Sequence, residues 1–365
     1  MKRLTYSGLL LLSLATLAHF LFAPVPIAPK AFVAPGNPGY TGVFAENTRL
    51  DPVRKLNLPS ASGPEDGAVD ASGRLYVSLR DGTIARQAVV GGALLPWVNT
   101  AGVPLGLDFD RSGTLWVADA YRGLLSIDRA GAVTVRCATV ADTPIAYADD
   151  VVATDDGLIY FTDASTKFGA EENGGTFPAS VLDMFEHGNY GRLIRFDSGS
   201  GQATVLRDGL AFANGVALSA DQRTLYVVET GNNRILTLAR KGEDAGTWGL
   251  LIDGLPGFPD NIETGREGRL WVGLVAPRNG LLDFSADKPF LRTLAYRLPQ
   301  AIRPKAAAYG HLLALGPSGE VLEDLQTPAA YTHITGAVET PAALYITSLT
   351  ESALGRLDSP PRLPD

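Results

Sequence analysis

Oxygen-bearing side chains recur in four places where a run of apolar residues begins. They are Glu65 and Asp66 in Gly-Pro-Glu-Asp-Gly, Asp149 and Asp150 in Tyr-Ala-Asp-Asp-Val, Asn214 in Phe-Ala-Asn-Gly-Val, and Asp260 and Asn261 in Phe-Pro-Asp-Asn-Ile. Carboxylate and amide oxygens suit a hard cation such as Ca²⁺, which takes about six to eight oxygens in flexible geometry. Zinc would require His or Cys, which these segments lack. The simpler alternative is that these side chains hydrogen-bond turns, as Asp-Gly and Asn-Gly commonly do.

Six stretches of the chain repeat a turn followed by a short apolar strand that contains one aromatic residue. The six aromatic residues are Tyr76, Trp116, Tyr160, Tyr226, Trp271 and Tyr345. Three of the five intervals are roughly 40 to 45 residues, the length of one four-stranded propeller blade. The interval before Tyr226 contains an insertion from Lys167 to Tyr190, and the interval before Tyr345 is longer than one insertion readily explains. The repeats predict an all-β fold, a six-bladed β-propeller.

A propeller would bring the oxygen-bearing segments together. The innermost strand of each blade runs along the central channel, so equivalent positions of different blades converge on the axis. The four segments belong to four different repeats. This convergence favours a calcium site over the turn-capping alternative.

Composition limits the class of protein. With 45% hydrophobic and 19% charged residues, the chain is not disordered, and its 40 Gly and 24 Pro supply turns. A net charge of −8 without a basic stripe argues against a nucleic-acid partner. Cys137 is the single cysteine, and its strand-like surroundings predict a core residue and not a nucleophile.

The N-terminal residues predict a membrane segment. Lys2 and Arg3 precede an uncharged run from Leu4 to Pro29. This run is long enough to cross a bilayer, which takes about 20 residues of helix. The alternative is a cleaved signal peptide followed by secretion, and in both cases the body lies on the exocytoplasmic side. The predicted domains are a membrane anchor or signal (1–29), a stiff Pro-rich stalk (30–50), the propeller (51–358) and a tail (359–365).

Several segments resemble the strictosidine synthase-like family, which is related to paraoxonases and to the gluconolactonase and regucalcin group. They are Gly-Arg-Leu-Ile-Arg-Phe-Asp (191–197), Leu-Ala-Phe-Ala-Asn-Gly-Val-Ala-Leu-Ser (210–219), Val-Glu-Thr with Arg-Ile (228–235) and Leu-Pro-Gly-Phe-Pro-Asp-Asn-Ile (255–262). The resemblance covers roughly residues 55 to 356. It implies a six-bladed propeller, often behind an N-terminal anchor, with calcium-dependent hydrolysis of esters or lactones in many relatives.

The resemblance also implies two calcium sites. The positions that match the catalytic calcium ligands of paraoxonase-like propellers are Glu65, Asp149, Asn214, Asp260 and Asn261. A second, structural calcium would be held by Asp66, Asp150 and the carbonyl of Leu107, although many relatives lack that site.

Three departures limit what the resemblance carries over. The glutamate that strictosidine synthase uses for condensation aligns with Thr335, and the paraoxonase histidine pair aligns with Leu105 and Ala120. Alkaloid-forming condensation and an imidazole base at those places are therefore not expected. Asp149 stands where relatives usually have Asn, so the site brings one more negative charge. We expect tighter calcium binding and weaker Lewis acidity as a result.

The expected reaction is metal-assisted hydrolysis of small, activated esters or strained lactones. By resemblance to gluconolactonases, Asp260 is the first choice for the general base and Asp149 the second; the alternative is that both are plain ligands. A different alternative is a catalytically inactive, calcium-stabilised propeller that binds a ligand or a protein. Calcium could also act only as a structural staple.

The remaining histidines and serines give weaker indications of chemistry. His187 lies in the insertion, where Ser180–Gly188 predicts a short helix ended by Gly188, and such a lid would bring Phe185 and His187 near substrate. A surface helix is the alternative. Ser165 and Lys167 are expected to shape the loop that opens the insertion, since no Gly-x-Ser-x-Gly motif is present.

Overall fold

The turns between paired strands explain why the six repeats become blades. In the first repeat, the Asp70 carboxylate accepts hydrogen bonds from the backbone N–H groups of Ser72 and Arg74, at 2.9 and 3.0 Å. Gly73 completes that turn with a φ of +82°, a conformation that favours glycine. The aromatic residue of the repeat then packs in the core, and the Tyr76 hydroxyl donates to the same Asp70. One acid therefore fixes the turn and orients the aromatic ring of the next strand.

The computed structural model describes Leu14, Ala18 and residues 20–60, 63–303 and 305–358. The strands of the first three blades are β2 Pro64–Val69, β3 Leu75–Leu79, β4 Thr83–Gln87, β5 Leu94–Asn99, β6 Pro104–Phe109, β7 Leu115–Asp119, β8 Gly123–Ile127, β9 Val133–Cys137, β12 Ala148–Ala153, β13 Leu158–Asp163, β14 Gly191–Asp197 and β15 Ala203–Leu210. A small hairpin, β10 Thr139–Val140 with β11 Thr143–Pro144, links blades 2 and 3. Each blade is an antiparallel four-stranded sheet.

The strands of blades 4 to 6 follow the same plan. They are β16 Ala213–Leu218, β17 Thr224–Glu229, β18 Arg234–Ala239, β19 Trp248–Ile252, β20 Gly257–Thr264, β21 Leu270–Pro277, β22 Gly310–Leu315, β23 Val321–Thr327, β24 Ile334–Glu339, β25 Ala343–Ser348 and β26 Ala353–Asp358. The fourth strand of blade 6 is β1, Arg54–Asn57, which pairs with β26 and closes the ring. The predicted six-bladed propeller is confirmed, and all six aromatic residues lie on the second strand of their blades.

Two insertions between blade strands carry α-helices. Helix α1, Thr176–Glu186, lies between β13 and β14, and helices α2, Gly280–Phe284, and α3, Pro289–Arg297, lie between β21 and β22. The long interval before Tyr345 is thus explained by a single insertion. Helix α1 begins four residues before the predicted helix, and it is His187, with a φ of +53°, that ends it instead of Gly188.

The segment that precedes the propeller lies against it and does not stand away as a stalk. The backbone N–H of Lys30 donates to the Glu186 carbonyl at 2.8 Å, and that of Phe32 donates to the Ala286 carbonyl at 3.0 Å. Ile27 is buried in an apolar cluster that includes Leu105 and Tyr147. Leu50 is buried in the core shared by blades 5 and 6. Most of the predicted anchor and the whole tail 359–365 lie outside the described residues. Within the part that is described, no helix is both long and apolar enough to cross a membrane.

Candidate functional site

An equivalent irregularity in each inner strand creates the site. The pairing of inner and second strands shifts register at the start of every blade, so that two consecutive residues leave the ladder. The six dipeptides at the shifts are Glu65-Asp66, Leu105-Gly106, Asp149-Asp150, Asn214-Gly215, Asp260-Asn261 and Thr335-Gly336. A bulge of this kind re-aims side chains out of the sheet. Because the inner strands of neighbouring blades contact one another around the ring, the dipeptides meet at the axis.

Glycine at the second position of alternate dipeptides lets adjacent inner strands approach closely. A Cβ atom on Gly106 would lie 2.3 Å from Asp150 Oδ1, and one on Gly215 would lie 2.6 Å from the Ile262 backbone nitrogen. Neither distance is possible for a real side chain. The side chains of Asp150 and Asn261 therefore occupy space that Gly106 and Gly336 of neighbouring blades leave.

Hydrogen bonds connect the predicted calcium ligands across blades. The Asn261 amide nitrogen donates to the carbonyl and to Oε1 of Glu65, both at 3.1 Å. The Asn214 amide nitrogen donates to Asp260 Oδ1. The Thr335 hydroxyl donates to the Glu65 carbonyl at 2.6 Å. Residues as far apart in sequence as Glu65 and Thr335 are thus direct neighbours, as the propeller axis predicts.

The five predicted calcium ligands, Glu65, Asp149, Asn214, Asp260 and Asn261, form what we call the upper set. Four buried oxygens of the upper set have no hydrogen-bond partner within the described chain. They are Glu65 Oε2, Asp149 Oδ2, Asn214 Oδ1 and Asn261 Oδ1. Both amides use their nitrogens on carboxylates of the set and so leave their oxygens without donors. A buried polar atom without a partner is costly. A hard cation would supply the partners that these oxygens lack, so the chemistry of the donor set fits calcium.

Burial raises the pKa values of all three acids of the upper set. Burial, followed by the charges of Asp260 and Asp149, raises the pKa of Glu65 well above its usual value. Burial and the charge of Asp260 likewise raise the pKa of Asp149. Burial raises the pKa of Asp260 to about 7, although the hydrogen bond from Asn214 opposes the shift. A bound divalent cation would favour the ionised forms of these carboxylates.

A second acidic cluster, which we call the lower cluster, consists of Asp66, Asp150 and Glu263 on the inner strands. Carboxylate oxygens of Asp66, Asp150 and Glu263 lie within 4.8 Å of one another, the only such trio of His, Cys, Asp or Glu ligand atoms among the described residues. The three carboxylates Glu65, Asp149 and Asp260 do not converge this tightly. Burial, then the charges of Asp66 and Asp150, raises the pKa of Glu263 well above its usual value.

Backbone N–H groups already donate hydrogen bonds to two carboxylates of this lower cluster. The Leu107 N–H donates to Asp66 Oδ2 at 2.8 Å, and the Val216 N–H donates to Asp150 Oδ2 at 2.7 Å. Asp108 accepts from the Ala153 N–H in the same manner. Leu107 was expected to offer its carbonyl to a second calcium, but its recorded contact with the cluster is through N–H. Asp66, Asp108 and Asp150 thereby tie the inner strands of blades 1, 2 and 3 to the next blade.

Sequence reasoning missed Glu263 and Asp108. Both follow a bulge dipeptide by two residues, and residues two apart on a strand point to the same face. Glu263 follows Asn261, and Asp108 follows Gly106. This alternation was the signal that could have identified them.

An apolar roof covers the upper oxygens. Its buried members include Leu105, Tyr147, Phe168, Phe185 and Phe212, together with Ile27 from the N-terminal segment. Tyr147 is close enough to the site that Asp149, Asp260 and Glu65, after burial, raise the pKa of its hydroxyl. A narrow pocket reaches Glu65 between Gly63, Arg80, Leu105, Thr176 and Leu349. The site is therefore buried beneath apolar side chains, with an opening beside α1.

Several candidate residues take structural roles. Leu105 and Ala120, where the resemblance would place histidines, are buried apolar members of the roof. The His187 ring stacks on Phe32 at a centroid distance of 3.5 Å, which places it against the N-terminal segment. Ser165 donates to Asp183 at 2.6 Å, and Lys167 pairs with Glu186, so both hold the insertion as expected.

Cys137 matches its predicted structural role, and His311 is also a buried strand residue. Cys137 is buried and free at the end of β9. His311 lies on β22, where its Nε2 is 2.6 Å from Asp324 Oδ1. Neither residue belongs to a bulge dipeptide, and both contribute to packing within their blades.

The fold and the site define a class: six-bladed β-propellers with an oxygen-lined axial centre. Two family models match, one described as Strictosidine synthase over residues 149–242 and one as Strictosidine synthase-like, N-terminal, over residues 42–87. The Arabidopsis thaliana "Protein STRICTOSIDINE SYNTHASE-LIKE 10" is 33% identical and covers 93% of this chain and 98% of its own length. The Rattus norvegicus "Adipocyte plasma membrane-associated protein" is 30% identical, with coverages of 95% and 96%. The chain belongs to the strictosidine synthase-like family, which confirms the resemblance.

Solved structures agree on the fold. A gluconolactonase from Xanthomonas campestris superposes with a TM-score of 0.62 at 19% identity, covering 92% of this chain and 99% of that one. A calcium-binding regucalcin from Agrobacterium tumefaciens gives a TM-score of 0.57 at 17% identity, with coverages of 84% and 93%. At these identities the likeness extends to the propeller architecture.

Proposed function

We propose that this protein hydrolyses small lactones and esters with calcium bound by the upper axial oxygens. The observation that carries the proposal is the set of four buried, unpartnered oxygens from Glu65, Asp149, Asn214 and Asn261 beneath an apolar roof. The gluconolactonase and calcium-binding regucalcin among proteins of the same fold support it. Glu65, Asp149, Asn214, Asp260 and Asn261 would hold the ion.

When bound, calcium would supply a Lewis acid that polarises the carbonyl oxygen of the substrate. Asp260 is the first candidate for the general base, because a bound cation would keep its buried carboxyl ionised and able to accept a proton. Its Oδ1 is held by the Asn214 amide, which leaves Oδ2 to take the proton from an attacking water. The same carboxyl then returns the proton to the leaving oxygen. Asp149 is the second candidate.

The roof has two tasks in this reaction. Tyr147 and Leu105 exclude bulk water from the carboxylates, so charges there act at low dielectric. The pocket residues Leu105 and Leu349 are apolar and would face the carbon skeleton of a lactone ring or of an aryl group. This chemistry suits activated esters and strained lactones, and amides are not expected substrates.

The central experiment measures turnover of phenyl acetate and of γ- and δ-lactones by the calcium-loaded protein, by the chelator-treated protein and after calcium is restored. Activity should disappear with chelation and return with calcium. Asp260→Asn should lower kcat by about 100-fold or more, since it removes a general base. Asp156→Asn is the matched control. Asp156 lies in the turn between β12 and β13, at the end of blade 3 opposite to the bulge dipeptide. Lack of turnover of both substrate classes by the calcium-loaded protein would refute the proposal.

A calcium-stabilised binding module is the second candidate. It is favoured by one observation, that apolar Leu105 and Ala120 occupy the places of the related histidines. This candidate predicts a pocket-directed ligand without turnover. A purely structural calcium predicts a lower melting temperature on chelation and no such ligand.

We also propose that the N-terminal run attaches the protein to a membrane, with the propeller on the exocytoplasmic side. Lys2 and Arg3 before the uncharged run support this orientation, and Phe22 of the same run is exposed. N-terminal sequencing of the mature protein, with membrane fractionation, distinguishes an uncleaved anchor from a secreted product. Recovery of the intact N-terminus in a fraction without membranes would refute the attachment.

A further inference from the structure

The pocket that leads to Glu65 contains a second charged side chain, that of Arg80. Pro64 on β2 is the register partner of Leu79 on β3, so Arg80 follows the second strand at the end of the blade where Glu65 begins the first. The other lining residues are Gly63, Leu105, Thr176 and Leu349, which carry no charge. Arg80 is therefore the one cation of this pocket.

The exposed Arg80 guanidinium has no carboxylate partner among the described residues. Its recorded hydrogen bond is to the carbonyl of Leu349, and it forms no ion pair with a described residue. Four other basic side chains at this end of the propeller have carboxylate partners: Lys167 with Glu186, Arg192 with Asp163, Arg234 with Glu229, and Arg278 with Asp283. Arg122, Arg292 and Arg297 also donate to backbone carbonyls, among them those of Thr100, Phe185 and Ala23, but they do not line the pocket.

We propose that Arg80 is a specificity-determining residue that binds a carboxylate of the substrate. This inference rests on the proposed hydrolase function and narrows its substrates to lactones or esters that carry a carboxylate besides the reacting group. The reacting carbonyl would lie near Glu65, and the carboxylate would lie at the mouth of the pocket.

The charges favour a single carboxylate over a phosphate monoester. Glu65, Asp149 and Asp260 together carry three negative charges when ionised, so a bound divalent ion leaves one negative charge at the centre. One guanidinium offsets the charge of a monoanionic substrate, and a dianion would exceed it. Because one N–H of Arg80 is used by Leu349, the remaining edge of the planar fork matches one carboxylate.

The test compares two lactones of equal size, 5-oxotetrahydrofuran-2-carboxylate and its carboxamide. The ratio of their kcat/KM values should favour the carboxylate in the native protein. Arg80→Gln should lower that ratio by about tenfold through KM, as expected for loss of one charge-assisted hydrogen bond. Arg80→Lys should keep most of the preference. Arg111→Gln is the control, since Arg111 lies in a turn at the opposite end of the propeller and should leave the ratio unchanged.

The outcomes separate this inference from the proposed function. Hydrolysis of both lactones with the same ratio in the native protein and in Arg80→Gln would overturn the role of Arg80 and leave the hydrolase intact. If neither lactone is hydrolysed, turnover of phenyl acetate decides whether the hydrolase function holds, and calorimetry with the carboxylate then tests Arg80 alone. Tighter binding to the native protein than to Arg80→Gln would support the carboxylate site, and equal or absent binding would refute it.

Discussion

The charge balance of the candidate centre depends on which residue fills each bulge position. The first positions of the six dipeptides hold three acids, one amide, Leu105 and Thr335. Leu105 belongs to the roof, and Thr335 fixes the Glu65 backbone, so neither offers a base. The chemistry is therefore left to carboxylates whose pKa values burial and mutual repulsion have raised.

Asp149 provides a direct test of the charge argument. Asp149→Asn keeps an oxygen ligand but removes one of three negative charges, so we expect calcium to bind at least several-fold more weakly and to be a stronger Lewis acid. Calorimetric titration of the metal-free protein gives the affinity, and kcat at saturating calcium gives the chemistry. Unchanged affinity for calcium in Asp149→Asn would contradict the argument, and Asp156→Asn serves as the control.

The buried His187 should make stability depend on pH. Burial, with a smaller contribution from the Arg292 charge, lowers the pKa of His187 to about 4, below the value of about 6.5 expected in the unfolded chain. The unfolded state therefore binds the proton first as pH falls. This histidine should lower the free energy of unfolding by up to about 3 kcal/mol between pH 6.5 and 4.

His187→Asn isolates this contribution, because Asn does not titrate and tolerates the positive φ of +53° at this position. Urea denaturation of both proteins at pH 7, 5 and 4 should show a smaller acid loss in the variant. Parallel pH curves for the two proteins would mean that His187 is not the titrating group. The acidic clusters are common to both proteins and cancel in the difference.

Among the elements, the N-terminal segment and the three helices form one assembly over the site. The buried Arg292 guanidinium on α3 donates to the carbonyls of Phe185 at 3.1 Å and Ala286 at 3.3 Å, and also to that of Lys30. It thereby joins α1, the end of α2 and the N-terminal segment. Ring contacts add to this: Phe185 packs edge-on against Tyr296 at 5.6 Å.

Arg292→Lys should loosen this assembly, because an ammonium cannot reach several carbonyls in the planar geometry of a guanidinium. We expect faster amide hydrogen exchange in residues 23–33 and 176–186 and a loss of about 2 kcal/mol or more of stability. Amides of the inner strands, such as those of β16, should exchange as before and serve as an internal control. Unchanged exchange in both regions would show that Arg292 does not hold the roof.

At the scale of the whole molecule, the chain closes on itself through β1. This strand supplies the outermost position of blade 6, with Leu56 opposite Leu354, although it precedes every other strand in sequence. The closure joins residues almost 300 positions apart, and it fixes the distance between blades 1 and 6. The axial oxygens depend on that distance, because Glu65 follows β1 directly and bonds to Asn261 and Thr335.

Replacing both Lys55 and Leu56 by Pro removes at least one ladder hydrogen bond, whichever of the two N–H groups points to β26. We expect a loss of about 3 kcal/mol or more and a single unfolding transition at lower denaturant. Thr134→Pro with Val135→Pro is the matched control, since β9 is also an outermost strand but does not close the ring. Calcium affinity should fall in the first variant and not in the second. An equal effect of the two pairs would argue against closure as the cause.

The sequence alone was sufficient for the architecture because its signals are local and repeated. Turn residues and one aromatic residue per blade recur at a blade's length, and each copy adds support to the same fold. The oxygen-bearing dipeptides stood out because polar residues are unusual at the start of buried strands. The insertion at 278–309 had no such repeat, and its two helices were not anticipated.

What only the tertiary structure decided depends on contacts between residues distant in sequence. The bulges aim both residues of each dipeptide at the axis, which separates a wide upper set of oxygens from a tighter lower trio that includes Glu263. The N-terminal segment became part of the roof through single hydrogen bonds to carbonyls of α1 and the second insertion. Strand periodicity depends on neighbouring residues, so a sequence pattern can predict it. The convergence of side chains depends on ring closure, and no local pattern determines the distance across a ring.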